Sequence, residues 1–270
     1  MQDKVEEAFR LFFKFKDEIM YNNRFFPDTN EFFQYLDEIL LKNEVKFDAG
    51  KFFYRARIYK DNEYDFTKTK NQKASESLQR AFNNHNGFYG YDKYNSLLPP
   101  ILQTSSGRAN PEFIPYLYVA EEEYTSLVEV RPFINEQVSI SKIKTLSSIK
   151  IVDFTIQKYS DEMNLQESLI YVLSYFFSKP IDTADKHEYI TTQYIAEYIK
   201  KQNYDGIKFR SSLNKFGKNV VIFDSTKTEA ISSEIFKVEY TSIEAKCISP
   251  QASIKMLHSN RLIPRLPFKK

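Results

Sequence analysis

Arg108, Tyr118 and Glu129 are the side chains of this chain whose types and spacing suit them to chemistry in common. A guanidinium offers a planar fork that matches phosphate oxygens in pairs. A tyrosine supplies a flat face with a hydroxyl at its edge. A fixed carboxylate stabilises positive charge developing on a neighbouring reacting centre. Together they describe a phosphate clamp, an aromatic wall and an anion meeting in one cleft. Each also has a plainer reading when taken singly: a solvated Arg and Glu, a core tyrosine.

Positioning all three falls to one short loop–strand–helix unit. Ser105-Ser106-Gly107-Arg108-Ala109-Asn110-Pro111 carries the residues of a turn. The apolar run Ile114 to Ala120 reads as a short buried strand holding Tyr118. Glu121, Glu122 and Glu123 then sit where acids favour the first turn of a helix, whose inward side chains would be Tyr124, Leu127 and Val128. That helix delivers Glu129 near its far end. Upstream, Lys51 to Tyr59 alternates as a strand, with Phe53, Arg55 and Arg57 on one face. Two arginines side by side are costly to bury unless an anion meets them, either structural carboxylates or a phosphate.

Elsewhere, residues 1–45 read as two helices, with Val5, Ala8, Phe9, Phe12 and Ile19 forming the apolar stripe of the first. Pro27 breaks the pattern, and Asp28 with Glu31 resembles a capping box ahead of Phe32, Phe33, Leu36, Ile39 and Leu40. This hairpin either packs against the main domain or docks a partner. Residues 60–104 are polar and read as a long loop with one short helix near Ser75 to Phe82. Ile149 to Ile156 reads as a strand, Leu165 to Ser178 as a buried helix, and His187 to Gln202 as an amphipathic helix that Asn203–Gly206 ends, with Gly206 available for a left-handed position. Strands follow near Ile207–Arg210, Val220–Phe223 and Ile235–Tyr240, before a basic tail. Strands and helices interleave irregularly, which is the pattern of an α+β fold.

Gly107-Arg108-Ala109-Asn110-Pro111, Leu117-Tyr118-Val119-Ala120 and Glu129-Val130-Arg131-Pro132 resemble the signature of the RES domain family, named for its Arg, Glu and Ser. The serine is matched in Tyr204-Asp205-Gly206-Ile207-Lys208-Phe209-Arg210-Ser211-Ser212, and Tyr54-Arg55 resembles the arginine that opens the domain. The likeness runs over roughly residues 50 to 225. Two positions depart from it: Ala109, where many members carry an aromatic, and Phe209, which replaces a tyrosine.

The resemblance implies an α+β fold akin to the ADP-ribosyltransferases, a split mixed or antiparallel sheet around a central NAD cleft. With the helical start and the basic tail read from the residues themselves, the chain divides into an N-terminal helical extension (1–45), a RES domain (46–245) and a tail (246–270). The resemblance implies cleavage of the nicotinamide–ribose bond of NAD+, the substrate rather than a cofactor, by hydrolysis or by phosphorolysis with inorganic phosphate. Transfer of ADP-ribose to a protein, or silent NAD binding, stand as alternatives. Catalytic roles fall to Arg108, Tyr118, Glu129 and Ser211. Substrate binding falls to Arg55, Arg57, Asn110 and Ser212, with the choice between the two serines open; Gln193 would support the cleft floor. The family reading adds a toxin's role and an antitoxin protein that occludes the cleft. A homodimer is also open.

Bulk properties exclude other classes. Hydrophobic residues at 42% supply a packed core. A net charge of +2 is too balanced for a nucleic-acid binder. One cysteine, Cys247, read as a small apolar side chain, fits a reducing cytoplasm. His85, His187 and His258 make no metal spacing. The start of the sequence lacks an apolar signal core, the run Leu169 to Phe177 is too short for a membrane span, and no G-x-G-x-x-G fingerprint occurs.

Overall fold

This computed structural model describes residues 2–60, 86–155, 162–180 and 186–241. The helix expected near Ser75–Phe82, His85, and the tail with Cys247 and His258 lie outside the described residues.

The strands are β1 (Glu44–Phe47), β2 (Phe52–Tyr59), β3 (Leu117–Ala120), β4 (Gln137–Thr145), β5 (Ile149–Asp153), β6 (Gly206–Arg210), β7 (Lys218–Ile222) and β8 (Thr228–Lys237). They form one sheet in the order β1-β5-β6-β7-β3-β2-β4-β8. Only β5 and β6 pair in parallel; the other pairings are antiparallel. The helices are α1 (Gln2–Asp17), α2 (Asn30–Lys42), α3 (Glu123–Glu129), α4 (Leu165–Ser178) and α5 (Ile190–Lys201). The fold is therefore mixed α+β. None of the described helices is long and apolar enough to cross a membrane.

Alternation along the strands divides the core in two. Tyr118, Val152, Ile207 and Val221 face the helices. Leu117, Val119, Ile151, Val220 and Ile222 face the opposite side, where Phe88, Leu97 and Leu98 cover them. The N-terminal hairpin joins the helical side through aromatic stacks. The Phe15 and Phe32 rings lie 4.1 Å apart, as do Phe12 of α1 and Phe176 of α4. Burying each such ring contributes roughly 2–3 kcal/mol.

Local signals explain some element ends and miss others. Asn164 and Glu167 form a reciprocal capping box at the start of α4. The box expected at Asp28 and Glu31 does not form; Thr29 precedes α2 without a side-chain cap. The left-handed position after α5 is taken by Asn203, at φ 64°. Gly206 instead opens β6, where a Cβ would strike the Val221 carbonyl.

One feature of the sheet creates the site. β2 pairs with β4 along its whole length, and all of β3 pairs with β7. Between β2 and β3 the only pair is Tyr54 with Ala120. The sheet forks there, and α3 packs over β2 beside the opening.

Candidate active site

The loop before β3 is a set of reciprocal backbone clamps. The Gly107 N–H donates to the Asn110 carbonyl at 2.9 Å. Asn110 is buried, and its side-chain amide donates to the carbonyls of Ser105 (3.1 Å) and Pro111 (2.9 Å). Its Oδ1 accepts the Tyr118 hydroxyl at 2.8 Å, and that hydroxyl accepts the Ala109 N–H at 2.9 Å. Gly107 has no space for a side chain, since a Cβ would meet Asn110 Oδ1 and lie 2.8 Å from the Tyr118 hydroxyl. Burial pushes the Tyr118 phenol well above the ordinary tyrosine range, against the pull of the Ala109 N–H and of Arg108. It therefore stays protonated and keeps its bond to Asn110. From α5, Gln193 Nε2 donates to Ser106 Oγ (2.8 Å) and the Gly107 carbonyl (2.7 Å). Thr192 Oγ1 donates to the Arg108 carbonyl at 2.6 Å.

Arg108 is committed in the same way. Its Nη1 donates to the Phe176 carbonyl and its Nη2 to the Lys179 carbonyl, each at 2.9 Å. These are carbonyls at the end of α4, where a cation also meets the negative end of the helix dipole. The guanidinium lies near the Tyr189 and Phe209 rings, at 5.6 and 5.9 Å. Burial holds its ionisation below the usual arginine value, with Tyr189, Tyr118 and Glu129 opposing that shift and Arg131 reinforcing it.

Across the opening stands Glu129, the last residue of α3. Its Oε1 accepts the Ser211 hydroxyl at 2.6 Å and the Asn219 amide at 2.7 Å. Oε2 accepts no hydrogen bond from the described residues. Ser211 is itself locked, its Oγ accepting the N–H groups of Leu213 (3.1 Å) and Asn214 (2.9 Å). α3 is oriented by its buried Thr125 and Ser126, while Tyr124, expected to point inward, is exposed. The reversal has a local cause: Asn214 donates to Thr125 Oγ1 at 2.9 Å, so the inner face of this short helix meets a polar turn.

These side chains surround a cavity of about 450 Å³. Of the residues picked out from the sequence, Arg55, Arg108, Tyr118, Glu129 and Ser212 line it. Ser211 stands behind Glu129 and Asn110 behind Tyr118, so neither forms the wall. Ser212, the next residue, is the one exposed to the cavity. Arg57 is not brought to the site. Its Nη1 donates to the Asn95 carbonyl at 2.6 Å and its guanidinium lies over the Tyr91 ring at 4.4 Å. Arg55 donates to the Ser96 carbonyl at 3.3 Å, and burial together with the Arg57 charge pulls its pKa down. Among the described residues, the paired arginines are thus met by backbone carbonyls and an aromatic ring of one turn, not by carboxylates.

Wall residues given no site role from the sequence include Asn219, Tyr189, Tyr54 and Arg131. Asn219 had a readable signal, an amide at the head of the apolar strand that continues Val220, Val221, Ile222. Tyr189 had none, lying in a single turn of 3-10 helix ahead of α5.

Arg55, Arg108, Arg131 and Glu129 give the wall more positive than negative charge, with Tyr54, Tyr118, Tyr189 and Phe209 as flat apolar surface. The arrangement suits an anionic ligand with aromatic rings, held against a carboxylate.

No curated protein matches the chain. Among solved structures, one chain of the crystal structure of the M. tuberculosis MbcT-MbcA toxin-antitoxin complex is similar at a TM-score of 0.42 and 11% identity, over 76% of this chain and 93% of that one. The family model described as RES domain matches residues 78–243, which is more than half of the 270 residues and includes Arg108, Tyr118, Glu129 and Ser211. By that match the chain belongs to the RES domain family.

Proposed function

We propose that this protein breaks the bond between nicotinamide and ribose in NAD+. The observation that carries the reading is Glu129: a carboxylate pinned through one oxygen by Ser211 and Asn219, in a cavity otherwise walled by arginines and aromatic rings. The cavity volume of about 450 Å³ falls within the ~300–1,000 Å³ range of small-molecule sites. The split of the sheet between β2 and β3 supports kinship with the ADP-ribosyltransferase fold.

When the C–N bond breaks, nicotinamide leaves with the bonding pair as a neutral base and needs no proton donor. Positive charge builds on the ribose, in an oxocarbenium-like transition state, and Glu129 stabilises it. Oε2, which accepts nothing from the described residues, is the oxygen for the ribose. Tyr118 contributes a rigid ring face, and Arg108 a fixed positive charge near the substrate's phosphates. The oxygen of water or phosphate then bonds to the ribose carbon, giving ADP-ribose and a proton, or ADP-ribose phosphate. Unchecked loss of NAD+ would kill the producing cell. The same reading therefore makes the protein a toxin, restrained by an antitoxin protein that covers the cavity.

The test is nicotinamide release from NAD+ by purified protein, with and without inorganic phosphate. Release in either condition supports the reading, and a phosphate requirement identifies the acceptor. Label from the ADP-ribose half appearing on protein would point to transfer instead. NAD+ binding without any release would leave only a binding module.

A further inference from the structure

We propose that Arg131 is the residue that receives the diphosphate of the substrate, an inference that rests on the NAD+ reading above. Arg131 directly follows the C-terminal residues of α3 and lines the cavity two positions beyond Glu129. Its N–H donates to the Val128 carbonyl at 3.0 Å, closing the last turn of the helix. Its φ is +47°, a left-handed conformation. Helices commonly end on such a residue, but it is usually glycine, because any Cβ is strained there. Here the position carries one of the largest side chains, and Pro132 follows, which drives the preceding residue toward extended conformations. That conformation costs about 1–3 kcal/mol, and it sets the guanidinium at the end of the helix that carries Glu129.

What separates Arg131 from the other arginines is its partners. Arg108 spends both terminal nitrogens on the end of α4. Arg55 and Arg57 donate to the turn at Asn95 and Ser96. Arg131 is exposed to the cavity and makes no side-chain hydrogen bond or ion pair among the described residues. A guanidinium with its whole donor fork available matches a diphosphate. Its attachment to the same helix end as Glu129 ties the anion grip to the carboxylate at a fixed spacing. Once the diphosphate sits on Arg131, the ribose is presented to Glu129.

Substituting Arg131 by glycine separates this role from a structural one, because glycine relieves the left-handed strain while removing the guanidinium. R131G should keep or raise the melting temperature and raise KM for NAD+ on the order of tenfold or more, the size of one charge-assisted hydrogen bond. Its kcat should stay within about threefold. KM for nicotinamide riboside, which lacks the phosphates, should not change, and R131K should recover part of the NAD+ affinity. Inorganic pyrophosphate should compete with NAD+ in the native protein and about tenfold less well in R131G. An unchanged KM for NAD+, or an equal rise for both substrates, overturns the assignment. If the native protein releases no nicotinamide at all, the NAD+ reading has failed. Direct pyrophosphate binding then still decides Arg131: weaker binding by R131G upholds it as an anion receptor, equal binding ends it.

Discussion

The two walls of the cavity are built differently. On the side of Arg108 and Tyr118, the groups that hold the loop are tied down: Asn110, Gln193, Thr192 and the guanidinium all bind loop or helix-end carbonyls. On the side of Glu129 and Arg131, groups are held at one end and left open at the other. Glu129 is fixed through Oε1 alone, and Arg131 through its backbone. A satisfied polar network makes a wall rigid, while a partly satisfied one keeps binding capacity in reserve for a ligand. The motif residues of this chain are therefore of two kinds: those whose polar groups are tied into the wall, and those left open toward the hollow.

Substitutions that separate stability from turnover test this contrast. The largest effect belongs to Glu129→Ala, which should lower kcat for nicotinamide release on the order of 10²-fold or more while shifting the melting temperature little. Arg108→Ala should act mainly on the fold. Losing two charge-assisted bonds to the end of α4 costs about 2–3 kcal/mol, a drop of roughly 5–10 °C in a thermal melt. If Arg108→Ala instead kept its melting temperature and lost only turnover, the two walls would not differ as described. Tyr118→Phe removes the hydroxyl shared by Asn110 and Ala109, and should cost about 1–2 kcal/mol with less than a tenfold change in rate. The smallest effect is expected for Arg57→Met, which lies off the cavity: KM for NAD+ should stay within about twofold, with a melting shift of a degree or two. A clear KM effect there would return Arg57 to the site.

Much of this was legible in the sequence, and what was not has physical reasons. α4 was readable end to end because its apolar run is long and almost unbroken. Arg108, Tyr118 and Glu129 were readable through their motifs, which the structure places around one opening. β4 went unassigned although Val138, Ile140 and Ile143 are buried, because serines and lysines stand between them and its neighbours β2 and β8 are remote in sequence or weakly patterned. β8 was expected only from Ile235, yet it begins at Thr228, where polar residues pair along β4. The choice between Ser211 and Ser212 could not be made from a dipeptide, since one residue of register decides which faces Glu129 and which faces the cavity. The destination of the Arg108 guanidinium depends on where α4 ends in space, which local sequence does not encode.

In the proposed reaction Glu129 acts on the transition state, in a site whose other walls are already in place. Measuring NAD+ affinity and nicotinamide release for Glu129→Gln beside the native protein tests it most directly, since glutamine keeps the acceptor for Ser211 and Asn219 but not the charge. NAD+ binding should stay within about fivefold of native, with release slowed about 10²-fold or more. Release within fivefold of native would contradict it.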